Sequence, residues 1–247
     1  MPVKKPRGRK RPSHRRVYAS VALVVLLGGS AMTYLYFTGY LSSYLSGGNS
    51  SSTNTSTSTV ATGPGCPAPP PKSSNIFACV QTSQGNFEIE LFATQAPKTV
   101  ANFVSLAKEG FYNDLVWHRI VKGFVIQTGD PNTRNGGGNP NTWGEGGSNT
   151  TIPFENTTLP EDEGYIAMAR GSAPNSATSQ FFINIGNNTA ILGRGYAVFG
   201  MVTTGIGVPL AIGNLPVAST CQTSGELECP PVQPSEAMLV SITILGS

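Results

Sequence analysis

Between residues 75 and 245 the chain is cut into short runs of alternating apolar and polar residues, separated by glycine, proline and serine, and this leaves few folds open. Ile76–Thr82 and residues 86–92 read as two strands joined by Ser83-Gln84-Gly85, with Phe87, Ile89 and Leu91 on one buried face. Over residues 96–109 the period changes: Val100, Phe103, Val104 and Ala107 recur at helical spacing, Pro97 stands near the start and Gly110 marks the stop. Further strands are expected near 116–120, 124–128, 164–169, 180–185, 197–202 and Met238–Leu245. Many short strands and few helices predict a mainly β fold, a closed antiparallel barrel, because closure removes exposed sheet edges. Residues 205–212 suit a second helix poorly, since Gly207 and Pro209 interrupt it.

The first 74 residues follow other rules. The formal net charge of +3 hides a division: Lys4, Lys5, Arg7, Arg9, Lys10, Arg11, Arg15 and Arg16 precede the first acidic residue, Glu88. Residues 1–16 therefore form a basic tail, and the apolar stretch 17–41 is long enough to cross a hydrocarbon layer about 30 Å thick. Positive charge beside a span stays in the cytoplasm, so residues 17–41 read as a single-pass transmembrane signal-anchor with everything after it outside. The alternative is a signal peptide cleaved near Gly29-Ser30-Ala31, giving a secreted protein. Residues 42–74, rich in Ser, Thr and Pro, read as a disordered linker, leaving 75–247 as the folded domain. The topology signal accounts for the basic tail, so no nucleic-acid partner is expected, and the domain is read as a monomer.

All four cysteines, Cys66, Cys79, Cys221 and Cys229, lie beyond the span, as suits an oxidising compartment. Three pairings are open to them, and the short loops favour Cys66–Cys79 and Cys221–Cys229, with Cys79 also acceptable as a buried thiol. They lack a C-x-x-C spacing, and His14 and His118 are the only histidines, so no metal site and no cofactor are expected.

The run Trp117-His118-Arg119-Ile120-Val121-Lys122-Gly123-Phe124-Val125-Ile126-Gln127-Thr128-Gly129-Asp130 places Arg119, Phe124 and Gln127 on two neighbouring strands. These residues suit rotation about an X-Pro amide, whose barrier of roughly 18–20 kcal/mol comes from resonance of the nitrogen lone pair with the carbonyl. Arg119 can donate to the prolyl nitrogen once twisting has made it an acceptor, so it favours the transition state over either planar isomer. Phe124 would floor a slot for the proline ring and Gln127 would hold the substrate carbonyl.

With the later blocks Ile166-Ala167-Met168-Ala169-Arg170, Asn175 to Ile183, Ile191-Leu192 and Gly195 to Gly200, this run resembles the cyclophilins, peptidyl-prolyl cis/trans isomerases, in a prokaryotic-like form. The resemblance implies an eight-stranded barrel with a helix across each open end and substrate on the outer face. It places catalysis on Arg119, Gln127 and Phe124, and substrate binding on Val125, Met168, Ala169, Arg170, Gln180, Phe182, Ile191, Leu192 and Tyr196. The chain has Ile191 where the best-known eukaryotic members carry tryptophan, Tyr196 for their histidine and Arg170 for their asparagine, so weak cyclosporin binding is implied. The implied function is X-Pro isomerisation in exported or cell-surface proteins, assisting their folding, with proline-containing polypeptides as partners. The alternative is a non-catalytic module that captures proline segments as a chaperone or receptor.

Three further features receive bland readings. The glycine-rich stretch 135–147 lacks the Gly-Lys-Ser/Thr ending of a nucleotide cradle and is read as a loop beside the groove. Glu161-Asp162-Glu163 is read as a solvated acidic turn, and His118 is given no part in the chemistry. In Gln180-Phe181-Phe182, alternation requires one ring inside the barrel and one outside.

Overall fold

The computed structural model describes Gly65, residues 75–218 and residues 229–245. Nine strands form one antiparallel sheet: β1 Ile76–Thr82, β2 Gly85–Leu91, β3 Leu115–Val116, β4 Arg119–Val121, β5 Val125–Thr128, β6 Tyr165–Met168, β7 Phe181–Asn184, β8 Ala197–Thr204 and β9 Met238–Leu245. The helices are α1 Pro97–Lys108, α2 Thr189–Leu192 and α3 Gly207–Ile212. Among these described residues no helix is long and apolar enough to cross a membrane, and the expected span at 17–41 lies outside them, as does the expected linker apart from Gly65.

Strand order is β3-β9-β1-β2-β8-β6-β7-β5-β4. This corrects the expectation of a closed eight-stranded barrel to a nine-stranded half-barrel. The strand expected over 116–120 is divided, because the chain changes partners there. β3 pairs with β9, whereas β4 pairs with β5, with Trp117 and His118 between them. The two outer strands of the sheet are thus consecutive in sequence but share no backbone ladder.

The β1–β2 hairpin shows local chemistry in control. Thr82 faces Gly85 across a two-residue turn, and Gly85 has φ +124°, a region that side chains rarely enter. Helix α1 buries Thr99, Val100, Phe103, Leu106 and Ala107, a stripe at 3.6-residue spacing that lies against β8 and β9. Its start lacks a local side-chain cap. Instead Glu155, distant in sequence, accepts from the Lys98 and Thr99 amides at 3.0 and 2.8 Å, satisfying orphan donors at the positive end of the helix dipole. α3 forms despite Pro209, because that residue lies in its first turn, where an amide has no intrahelical partner.

The inner face holds the main core, in which Phe103 meets Tyr112, Phe181 and Phe199 at ring distances of 5.2–5.4 Å. A second, smaller cluster on the other face joins Val125, Ala167, Phe182 and Val198. Phe181 and Phe182 therefore point to opposite faces, as alternation demands.

Cys79 is buried on β1, and Cys66, its expected partner, lies outside the described residues. Cys229 is buried as well, and Cys221, its expected partner, lies outside the described residues. A second correction concerns Glu161, expected in solvent but fully buried, with 0% of its surface exposed.

Candidate active site

Period-two alternation builds the site. Arg119 on β4 faces Gln127 on β5, Gln127 faces Phe182 on β7, and Phe182 faces Ala167 on β6. A polar-to-apolar row thus runs across four adjacent strands on the outer face. Val125, Gln180 and Ala169, each two residues from a member of that row, fall on the same side. Leu192 from α2 and Tyr196 ahead of β8 complete the apolar end, where the Phe182 and Tyr196 rings meet edge to face at 5.1 Å.

These residues other than Ala167, together with Arg170, line one open cavity of about 710 Å³, with Phe124 beside Val125. Ten of the twelve expected site residues are there: Arg119, Phe124, Val125, Gln127, Ala169, Arg170, Gln180, Phe182, Leu192 and Tyr196. Met168 is not, since it alternates with Ala167 and Ala169 and so points into the main core, 1% exposed. Ile191 is not either; it is 72% exposed on α2 and outside the lining.

The polar side groups form a relay with a fixed direction. Gln180 Nε2 donates to the carbonyls of Gly144 and Gly146 at 2.8 and 2.6 Å, which leaves its Oε1 to accept from Gln127 Nε2 at 2.8 Å. Gln127 Oε1 consequently faces Arg119 Nη1, at a long 3.4 Å. The glycine-rich stretch lies beside the groove, as its composition suggested, and Gly144 to Ser148 form one wall. Buried Asp130 ties this wall down, accepting from Asn132, Gly144 and Gly146 amides. A side chain at Gly146 would fall on Asp130 Oδ1, so only glycine permits this approach. Ser176 and Thr178, not among the expected site residues, also line the cavity, and their place inside the block Asn175 to Ile183 was the signal for them.

Arg170 is clamped rather than extended into the groove. Its Nε donates to the Gly195 carbonyl at 2.8 Å, and its guanidinium lies 5.5 Å from the Phe154 ring centre and 5.6 Å from that of Tyr196. His118, next to Arg119 in sequence, is buried, and burial lowers its pKa to about 4 against the opposing charge of Asp130. It is neutral at physiological pH. Among the described residues no group of three His, Cys, Asp or Glu side chains converges as a metal site.

An arginine and two glutamines beside an apolar slot, on the outside of a half-barrel, are accompanied by a family-wide match: residues 77–230 fit the model of the cyclophilin-type peptidyl-prolyl cis-trans isomerases. The chain belongs to this family.

Among curated relatives, this cyclophilin is 37% identical over 181 residues to a peptidyl-prolyl cis-trans isomerase of Acinetobacter baylyi, covering 70% of the chain and 89% of that protein. It is 38% identical over 135 residues to peptidyl-prolyl cis-trans isomerase B of Escherichia coli, covering 51% of the chain and 77% of the relative. The crystal structure of a cyclophilin-type isomerase from Cryptosporidium parvum matches with a TM-score of 0.58 at 27% identity, covering 70% of this chain and 99% of that one. The same parasite enzyme has been crystallised in the presence of the dipeptide ala-pro. The cyclophilin domain described here is a peptidyl-prolyl cis-trans isomerase.

Proposed function

We propose that the enzyme rotates X-Pro bonds in exported polypeptides while tethered to the outer side of a membrane, with Arg119 as its catalytic residue. The observation that carries the catalytic part is the row Arg119, Gln127, Phe182, which sets a permanent cation at the rim of an apolar slot. The proline ring rests among Phe124, Phe182 and Leu192, and the carbonyl before it accepts from the glutamine relay. As the amide twists, its nitrogen becomes pyramidal and regains a lone pair. The Arg119 guanidinium donates to that lone pair, an interaction absent from either planar isomer, and the barrier falls without any bond being broken. Fixing Gln127 through Gln180 and the glycine wall keeps the donors oriented before the substrate arrives.

Support for the exported setting comes from the sequence: the basic tail at 1–16, the apolar stretch at 17–41 and cysteines confined to the part beyond it. A bridge from Cys79 to Cys66, its nearest cysteine in sequence, would suit such an oxidising compartment. Uncatalysed X-Pro isomerisation takes tens to hundreds of seconds, long enough to limit the folding of a chain just released from a membrane.

The test is Arg119→Ala in the full chain, assayed by NMR exchange on a short X-Pro peptide. Loss of one transition-state donor predicts a drop of about 10²–10³-fold in turnover with the peptide still bound. Equal exchange rates for variant and parent would overturn the mechanism.

A further inference from the structure

Beneath the apolar end of the groove lies a buried polar chain that the isomerase chemistry does not use. Glu161, Asn184 and Asn188 are 0%, 0% and 2% exposed. Glu161 Oε2 accepts from Asn184 Nδ2 at 2.7 Å, and Asn184 Oδ1 accepts from Asn188 Nδ2 at 2.7 Å. Asn188 Nδ2 also donates to the Phe124 carbonyl at 2.7 Å. The Glu161 backbone joins in, its amide donating to Thr189 Oγ1 at 2.9 Å and its carbonyl accepting from the Asn188 amide at 2.8 Å. Asn188 in turn starts α2, its carbonyl accepting from the Leu192 amide at 2.8 Å.

One hydrogen-bond chain ending on a carboxyl thus reaches two walls of the proline slot, Phe124 on the β4–β5 connection, whose carbonyl also accepts from the Ile185 amide at 2.9 Å, and Leu192 on α2. Glu161 Oε1 meets no hydrogen-bond partner among the described residues. A fully buried carboxyl with an idle oxygen costs stability, and an apolar side chain would fill the space without that cost. What an apolar side chain could not do is accept from Asn184, whose Nδ2 also donates to the Tyr165 carbonyl at 3.1 Å, and so join that carbonyl in orienting the donors up to Phe124.

We infer that Glu161 is a positioning residue for the isomerase, fixing the spacing of Phe124 and Leu192 through Asn184 and Asn188 and thereby setting affinity for the proline ring. The inference rests on the proposed role of that slot.

The test compares the parent, Glu161→Leu, Glu161→Gln and Asn188→Ala in the full chain, with Arg119→Ala as control. For Glu161→Leu and Asn188→Ala, KM for an X-Pro peptide is expected to rise about 10-fold while kcat stays within about 2-fold, since the slot loosens but Arg119 is untouched. Glu161→Gln keeps an acceptor for Asn184 and should restore KM to within about 2-fold of the parent. Unchanged KM in folded Glu161→Leu or Asn188→Ala overturns the inference, as does a Glu161→Gln variant no better than Glu161→Leu. Should Glu161→Leu fail to fold, Asn188→Ala and Glu161→Gln still decide. An active Arg119→Ala control would instead overturn the catalytic reading, so the two failures are distinguishable.

Discussion

Replacing Glu161 by glutamine should change how stability depends on pH, and the sign and size follow from where the carboxyl sits. Burial raises its pKa from the ordinary 4.5 to about 7, with the hydrogen bond from Asn184 pulling the other way. Below pH 4.5 the group is protonated in the folded and unfolded chains alike, and well above pH 7 it is ionised in both. Between these limits the folded protein keeps a proton that the unfolded chain has lost, so this group's contribution to stability falls as pH rises. At about 1.36 kcal/mol per pH unit, the loss is at most about 3.4 kcal/mol, a sizeable part of a typical domain's stability. The parent's own profile would conceal this. His118, lowered from 6.5 to about 4, has the opposite slope: the unfolded chain holds the extra proton, and stability rises with pH across that interval. The two contributions offset one another between about pH 4.5 and 6.5. The informative quantity is therefore the difference between parent and Glu161→Gln, from guanidinium unfolding at pH 4.5, 6 and 7.5 with a constant denaturant slope. The variant should gain on the parent by about 2–3 kcal/mol over that range, and a difference constant to about 0.5 kcal/mol would refute the reasoning.

Gly146→Ala would drive a methyl group into Asp130 Oδ1 and displace the wall to which Gln180 is bound, so isomerase activity should fall at least about 10-fold. Asp130→Asn in the same assay is expected to be milder, since it keeps one acceptor for the loop amides. For topology, protease added to intact cells should remove the domain while leaving a fragment of residues 1–41 in the membrane fraction. A soluble extracellular protein beginning near Met32 would replace the anchor with a cleaved signal.

Local periodicity carried much of the fold. β1 and β9 occupy the spans that the alternation of apolar residues gave them, and α1 differs from its expected range by one residue at each end. The same alternation across Ala167, Met168 and Ala169 puts Met168 in the core, where it lies, because neighbours in a strand point to opposite faces even inside a contiguous motif. Residue chemistry also went far, because Arg119 and Gln127 sit eight positions apart around a tight connection, and antiparallel pairing sets such residues opposite one another.

Three outcomes depended on contacts that no local pattern encodes. β3 and β4 separated because the chain changes partners at Trp117 and His118, a matter of which distant strands arrive on each side. Glu155 capped α1 from more than fifty residues away, where the helix start itself offered no cap. Glu161, between two residues that suit solvent, became the buried end of a chain of amides reaching the Phe124 carbonyl. Alternation and turn chemistry act over a few residues and can be read one segment at a time. Burial of a charge is decided by everything that closes over it, and only the packed structure supplies that information.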